Sequence, residues 1–260
     1  MKLSLSTWCD VEDYLKRSRA ILLPIGSMEQ HGPTGLIGTD ALCPQIIAEA
    51  AGAEDPEILI GPTFSVGCAQ HHLGFPGSIT LRPSTMIAAM SDWCASLRRH
   101  GFDRIYWLNG HGGNIATIAA AFAEIYAERS FTGPESPVPS LTMKQRNWWE
   151  LPGVMSVCQR LHPTNDGSHA TASEVAVTYA AYPEQQRDVK LDPPVAPMGS
   201  FTDAEDYRAR FADGRIGSGE YRIIPGSPPE AVLAQLQRGD TVRYLVTLPV
   251  GGSELLLVLQ

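Results

Sequence analysis

Residues 24–40, PIGSMEQHGPTGLIGTD, gather the side chains best suited to holding a cation. Glu29, His31 and Asp40 supply two hard oxygen donors and an imidazole, the mix that suits Zn, Mn or Fe. In extended backbone, residues i and i+2 point the same way, so Glu29 and His31 can face one cleft. Asp40, at the start of the next element, can close over the same point. A polar turn with Asp40 as a helix cap would be the better reading of an isolated E-x-H. A second imidazole, His111 in the box HGGN (111–114), shifts the balance towards metal binding. These glycines belong to no P-loop, since no Gly-Lys-Ser/Thr follows, and to no dinucleotide fingerprint, since G-x-G-x-x-G is absent. They let the backbone pass close to an ion while His111 enters the cleft.

A third constellation is His169 and Glu174 within NDGSHATASEVAVTYAAYPE (165–184). A histidine beside a metal can move protons, because its ordinary pKa of about 6.5 suits work near neutrality. Glu174 offers a carboxylate to a second ion. Taken singly, each reads as a solvated loop histidine and an ordinary helix glutamate. Candidate substrate-facing positions are His72, Thr80, Gly112, Trp148 and Asp166, with His71 and Trp149 beside two of them. A serine hydrolase would need G-x-S-x-G, which is missing, and Cys43 and Cys68 have no supporting context for a cysteine nucleophile. Metal-assisted hydrolysis is the chemistry these residues favour.

The elements that must position them follow from the apolar pattern. ILLPIG (21–26), EILIGPT (57–63) and RIYWLNG (104–110) read as buried strands, and 137–149 as a fourth strand ending in the Trp pair. Helices are expected in three places: from Ala41, begun or broken near Pro44 and stopped at Gly52; over 84–99 with Ser84 as N-cap; and over 115–128. Residues 7–19 allow a short helix capped by Thr7, and Glu174 falls in the first turns of a further helix. Strands alternating with helices imply an α/β fold, a mostly parallel sheet sandwiched by helices in one domain spanning 1–260. The Glu29 loop and His111 both fall at carboxyl ends of such strands, where α/β sheets keep their sites. Residues 183–230, dense in Pro, Gly and charge, form an excursion that could serve as lid or subunit contact. The last twenty residues suggest two strands joined at Gly-Gly.

Composition agrees. The chain has 260 residues and 43% apolar residues, enough for a sizeable core. A net charge of −8 without any basic stripe argues against a nucleic-acid partner. No apolar stretch approaches a bilayer span. The start, MKLSLSTWCDVED, lacks a signal-peptide core, and five scattered cysteines without C-x-x-C read as reduced thiols, so a cytoplasmic location is expected.

LPIGSMEQHGPTGLIGTD, FPGSIT (75–80), NGHGGN and the segment from His169 to Glu174 resemble the creatininase family of metal-dependent amidohydrolases. The resemblance implies a three-layer α/β fold, a hexamer and two divalent ions, Zn or Mn with Fe possible. Glu29 and His111 would hold one ion, His31 and Glu174 the other, with Asp40 bridging and His169 moving the proton. Creatininase itself has a glutamate where this chain has Gly113. Other members usually read H-A-G-E-x-E where this chain reads HATASE, with Ala172 in place of the first glutamate. The implied activity is cleavage of a non-peptide C–N bond in a cyclic amide or formamide by metal-activated water, acting on a small molecule. A formylamino-pyrimidine, a cyclic polyol ketone or a modified peptide end are alternative substrates, and a catalytically silent metal-binding subunit is an alternative of another class.

Overall fold

Three strands of six residues, β1 (Ala20–Ile25), β2 (Arg104–Asn109) and β3 (Thr142–Asn147), make a parallel sheet in the order β1-β2-β3. This computed structural model describes residues 1–219, 244–250 and 253–259. The register pairs Ile25 with Asn109 and Asn109 with Asn147, so all three strands end level. The period-2 alternation of strand side chains splits the core in two. Ile21, Leu23, Ile25, Ile105 and Trp107 pack on one face. Leu22 and Leu108 pack on the other. The first face is covered by α1 (Trp8–Leu15), α3 (Pro83–Arg99) and α4 (Ile115–Thr132), through Tyr14, Met86, Met90, Cys94, Ile118 and Ala121. The second is covered by α2 (Thr39–Glu54), α5 (Val154–Leu161) and α6 (Ala172–Ala181), through Ile47, Ala48, Val157, Ala176 and Val177. This is the three-layer α/β sandwich expected from the pattern.

The differences are local and have physical causes. The 57–63 run is not a regular strand. It meets β1 only through bridges, Leu22 with Ile60 and Ile25 with Phe64, because Pro24, the β1 residue facing the gap, has no N–H to give and the register slips by one residue there, Gly61 N donating to Leu22 O and Phe64 N to Pro24 O. Neither Pro44 nor Gly52 breaks or ends α2, which runs through both. The helix expected from Ser84 starts instead at Pro83, whose fixed φ suits the first turn, and Ser84 caps nothing. Residues 137–141 stay outside β3, and α5 was not anticipated at all. Thr7 does cap α1, in a reciprocal box with Asp10.

Within the excursion, after a 3-10 turn at Pro183–Gln185, residues 186–219 form a strap with one short helix, α7 (Ala204–Arg210), and its own apolar cluster of Tyr207, Phe211 and Ile216 against Phe75. Arg215 is buried beneath it, paired with Asp213 at 2.7 Å and donating to Ser218 O at 2.9 Å. The remainder of the predicted excursion, 220–230, lies outside the described residues. The two C-terminal strands are present as an antiparallel pair, β4 (Tyr244–Val250) and β5 (Ser253–Leu259), with Tyr244 opposite Leu259. The Gly251–Gly252 turn predicted between them lies outside the described residues.

Candidate metal centre

The level ends of β1 and β2 feed the loop carrying Glu29 and His31 and the turn carrying His111. The first turn of α2 packs onto both ends and brings Asp40. This approach is possible because the strands end in glycine. A Cβ on Gly26 or on Gly110 would lie 2.0 Å from Asp40 O. That carbonyl is the one Pro44 leaves without its helical N–H partner. Asn114 stitches the same corner, accepting from Cys68 N at 2.9 Å and donating to Gly26 O at 2.9 Å. Asn109 donates to His111 O at 2.7 Å and to Asn147 Oδ1 at 2.8 Å, tying the ends of β2 and β3 together. Glu174 arrives from the start of α6, where Thr171 N donates to its Oε1 at 2.5 Å and Thr171 Oγ1 accepts from Glu174 N at 3.2 Å. T-x-x-E before an apolar run is the sequence signature of this capping box.

These side chains converge. His31 Nε2 is 3.0 Å from Asp40 Oδ1 and 3.9 Å from Glu174 Oε1. His111 Nδ1 is 2.8 Å from Asp40 Oδ2 and 3.2 Å from Glu29 Oε2. Each ring is oriented from behind: His31 Nδ1 donates to Glu29 O at 3.1 Å, and His111 Nε2 to Cys68 O at 3.0 Å. That leaves the opposite nitrogens as acceptors aimed at the carboxylates, the arrangement of metal-binding histidines. Glu29 Oε2 and Asp40 Oδ2 are buried and accept no hydrogen bond. Buried carboxylate oxygens without donors are costly unless a cation meets them. The donor set therefore fits divalent ions.

The electrostatics of the protein alone tell the same story. Burial and the neighbouring Asp40 push the Glu29 carboxyl up to about 8. Burial, with Asp40 nearby, likewise raises Glu174 to about 7. Burial pulls the imidazolium forms down, but the surrounding carboxylates prevail and lift His31 to about 10 and His111 to about 9. Asp40, buried but flanked by both imidazoles, is held well below the usual carboxylate range.

His169 lies beside this cluster, its ring centroid 4.6 Å from that of His31. Its Nε2 donates to Gln30 O at 2.8 Å, so Nδ1 carries the lone pair, 3.7 Å from Glu29 Oε1. Burial and the nearby His31 keep it neutral, well below the ordinary histidine pKa. Gln30 is a hub that residue type alone did not reveal. Its amide nitrogen lies 2.9 Å from His72 Nδ1, 3.0 Å from His169 Nε2 and 2.9 Å from Gly214 O on the strap.

A cavity of about 440 Å³ opens over the cluster. Gly112, Trp148 and Asp166 line it, as expected, with Trp149, Met155, Phe201 and Tyr207. Asp166 is engaged locally, accepting from Ser173 N at 2.9 Å and Ser173 Oγ at 3.0 Å. His72 also lines the cavity, with its ring buried and its Nε2 3.1 Å from Glu29 Oε1. Thr80 is not brought to the cavity; its hydroxyl accepts from Ala69 N at 2.8 Å and pins the loop. His71, beside His72, lines the cavity as well.

Residues 4–222 match the family model described as creatinine amidohydrolase. The chain belongs to the creatininase family. Among curated relatives it is 27% identical over 188 residues to the creatinine amidohydrolase of Pseudomonas putida, covering 68% of this chain and 70% of that one. It is 31% identical over 108 residues to the mycofactocin precursor peptide peptidase of Mycolicibacterium smegmatis, but that match spans only 40% of this chain and 43% of the relative. The match to the 3-dehydro-scyllo-inosose hydrolase of Thermotoga maritima is 24% identical over 244 residues, 88% of this chain and 73% of the relative. Solved structures share the fold: one named Creatininase Mn superposes with a TM-score of 0.71 at 23% identity, covering 84% of this chain and 87% of that one. A creatininase mutant of Zn–Zn type gives 0.68 at 23% identity, with 84% and 87% covered. Creatininase-family membership agrees with the hydrolase class read from the residues.

Proposed function

We propose that this protein is a metal-dependent amidohydrolase that opens a non-peptide C–N bond in a small, uncharged cyclic amide or formamide. The observation that carries the proposal is the convergence of buried carboxylates on imidazole nitrogens, with Asp40 Oδ2 2.8 Å and Glu29 Oε2 3.2 Å from His111 Nδ1 and Asp40 Oδ1 3.0 Å from His31 Nε2. In this reading Glu29 and His111 hold one divalent ion, His31 and Glu174 another, and Asp40 lies between them. Zn, Mn or Fe would suit the donor set. Such ions supply Lewis-acid polarisation of a carbonyl and a lowered pKa for water.

The chain's own residues handle orientation and protons. His169 Nδ1, left unprotonated by the Nε2 hydrogen bond, takes a proton from the attacking water and returns it to the departing nitrogen. Gln30 holds that ring between the cluster and the strap. No described lysine or arginine lines the cavity, and Trp148, Trp149, Phe201 and Tyr207 wall it, which favours a flat neutral substrate over an anionic one. The likeness to a 3-dehydro-scyllo-inosose hydrolase over 88% of this chain supports a second reading, a cyclic polyol ketone as substrate. In either reading we take the enzyme as one cytoplasmic domain assembling into a homo-oligomer, with the strap as a wall of the cavity.

The test is elemental analysis of the purified protein beside Asp40→Ala, followed by a panel of lactams, formamides and cyclic polyol ketones. About two metal equivalents lost in Asp40→Ala, with turnover of a panel member, supports the proposal. No metal after exposure to Zn and Mn would sink it.

A further inference from the structure

His71 is the one imidazole of the cluster without a fixed role. His31, His111 and His169 each donate from one nitrogen to a backbone carbonyl, and His72 meets the Gln30 amide. No hydrogen bond to a described residue holds either nitrogen of His71. Its ring is gripped by its faces instead: stacked on Phe201 at 5.1 Å and 21°, parallel to His111 at 6.0 Å and 15°, and against His72 at 4.2 Å. It is half-buried on the cavity wall. A ligand nitrogen of His71, a carboxylate oxygen of Glu29 and a ring nitrogen of His111 all lie within 4.8 Å of one another.

The opposite side of His111 explains why an extra donor belongs here. Two glycines follow it, and neither offers a side chain to an ion. A Cβ on Gly113 would lie 2.3 Å from His111 Nε2 and 2.7 Å from Cys68 O, so the clasp that orients His111 requires glycine there. Space around Gly112 is open. The ion beside His111 and Glu29 is therefore short of protein donors on its cavity side, and His71 stands there. Donors on one zinc ion, at about 2.0–2.2 Å each, are at most about 4.4 Å apart. The small closing movement needed is available to a ring that no hydrogen bond restrains.

We propose that His71 is a ligand of the ion held by Glu29 and His111, contributed from the 64–81 loop. The proposal rests on the two-ion reading above, and its test separates the two. The experiment measures metal content and affinity, by elemental analysis and by competition with a chromophoric chelator, and the visible spectrum of the Co(II)-loaded protein. It compares the unaltered chain with His71→Ala and with His71→Phe, which keeps the stack on Phe201 but has no nitrogen. Both variants are expected to bind one ion normally and the other more weakly, by at least the roughly 10–100-fold that losing even an outer partner of a metal ligand costs. Their Co(II) bands should change in intensity as one site loses a nitrogen donor. Two ions held with unchanged affinity and spectrum in both variants would overturn the His71 assignment and leave the two-ion reading intact. Weakening in His71→Ala but not in His71→Phe would also overturn it, showing packing in place of ligation. Failure of the unaltered chain to bind any ion would overturn both.

Discussion

The two sides of the site are held by different means. On the sheet side, Glu29, His31, Asp40 and His111 are set by backbone: level strand ends, glycines at 26 and 110 pressed against Asp40 O, and the asparagines at 109 and 114. On the strap side, His72 is set by the Gln30 side-chain amide, His169 by the Gln30 backbone carbonyl, and His71 by aromatic contacts reaching to Phe201 and Tyr207. A close-packed backbone junction cannot adjust, whereas an amide bridge and stacked rings can. In the proposed reading most of the metal donors would sit on the rigid side, and His71, proton transfer and substrate fit on the adaptable one. Mutations on the two sides should fail differently.

The largest effect is expected from Gly110→Ala. Its Cβ would meet both Asp40 O and the Pro44 ring, at 2.0 and 2.6 Å, and neither backbone nor proline can move aside. A loss of about 4 kcal/mol or more is expected, as for the severest overpacking. Denaturant melts and metal content should fall together; a variant with unchanged stability would show the junction to be soft.

Next comes proton competition at the rigid side. In the metal-free protein Glu29, His111 and His31 titrate near 8, 9 and 10, so at neutral pH all three hold protons. Metal binding requires them deprotonated. Raised pKa values mean that loading expels protons, so apparent affinity climbs as pH rises from 7 towards 8. With two to three protons released, the climb is about 100–1,000-fold per pH unit. Titration calorimetry in buffers of different ionisation enthalpy counts the protons; zero release would contradict the geometry.

Much of the rigid side was legible beforehand. E-x-H at the end of an apolar run, an aspartate opening the next helix and N-G-H-G-G-N after another run place their side chains through backbone periodicity alone. The parallel α/β class follows from the succession of apolar runs and helices. What escaped depends on contacts between distant segments. Nothing near Gln30 announces that its amide will reach Gly214, 184 residues away. The choice between His71 and His72 turns on which ring rotates inward, a matter of packing against Phe201 and Tyr207. The run at 57–63 fell short of a strand because Pro24 on β1 has no N–H to offer it and the register slips there, which a hydropathy pattern does not register.

Gln30→Leu probes the adaptable side. It removes the amide's bonds to His72 and Gly214 and keeps the backbone carbonyl that accepts from His169, while Tyr207 still donates to Gly214 O at 2.7 Å and keeps the strap in place. Metal content should stay at the level of the unaltered chain, with kcat lower by about 10–100-fold, the usual cost of losing an orienting partner. Loss of metal with activity would mean that Gln30 belongs to the rigid side after all.

The mildest change sharpens the boundary between the two sides. Thr80 was a candidate for substrate contact, yet its hydroxyl accepts from Ala69 N at 2.8 Å and donates to Leu81 O at 3.0 Å, within the loop that presents His71 and His72. Thr80→Val keeps the shape of the side chain and deletes both bonds. The loss should be about 1 kcal/mol of stability, the worth of a hydrogen bond with one half-buried partner left unmet. If Thr80 only pins the loop, KM stays constant. Any kcat change then tracks metal affinity, because the loop acts through His71 and His72. A raised KM with intact metal would instead put Thr80 within reach of the substrate, and would mean that the loop moves further on binding than its hydrogen bonds imply.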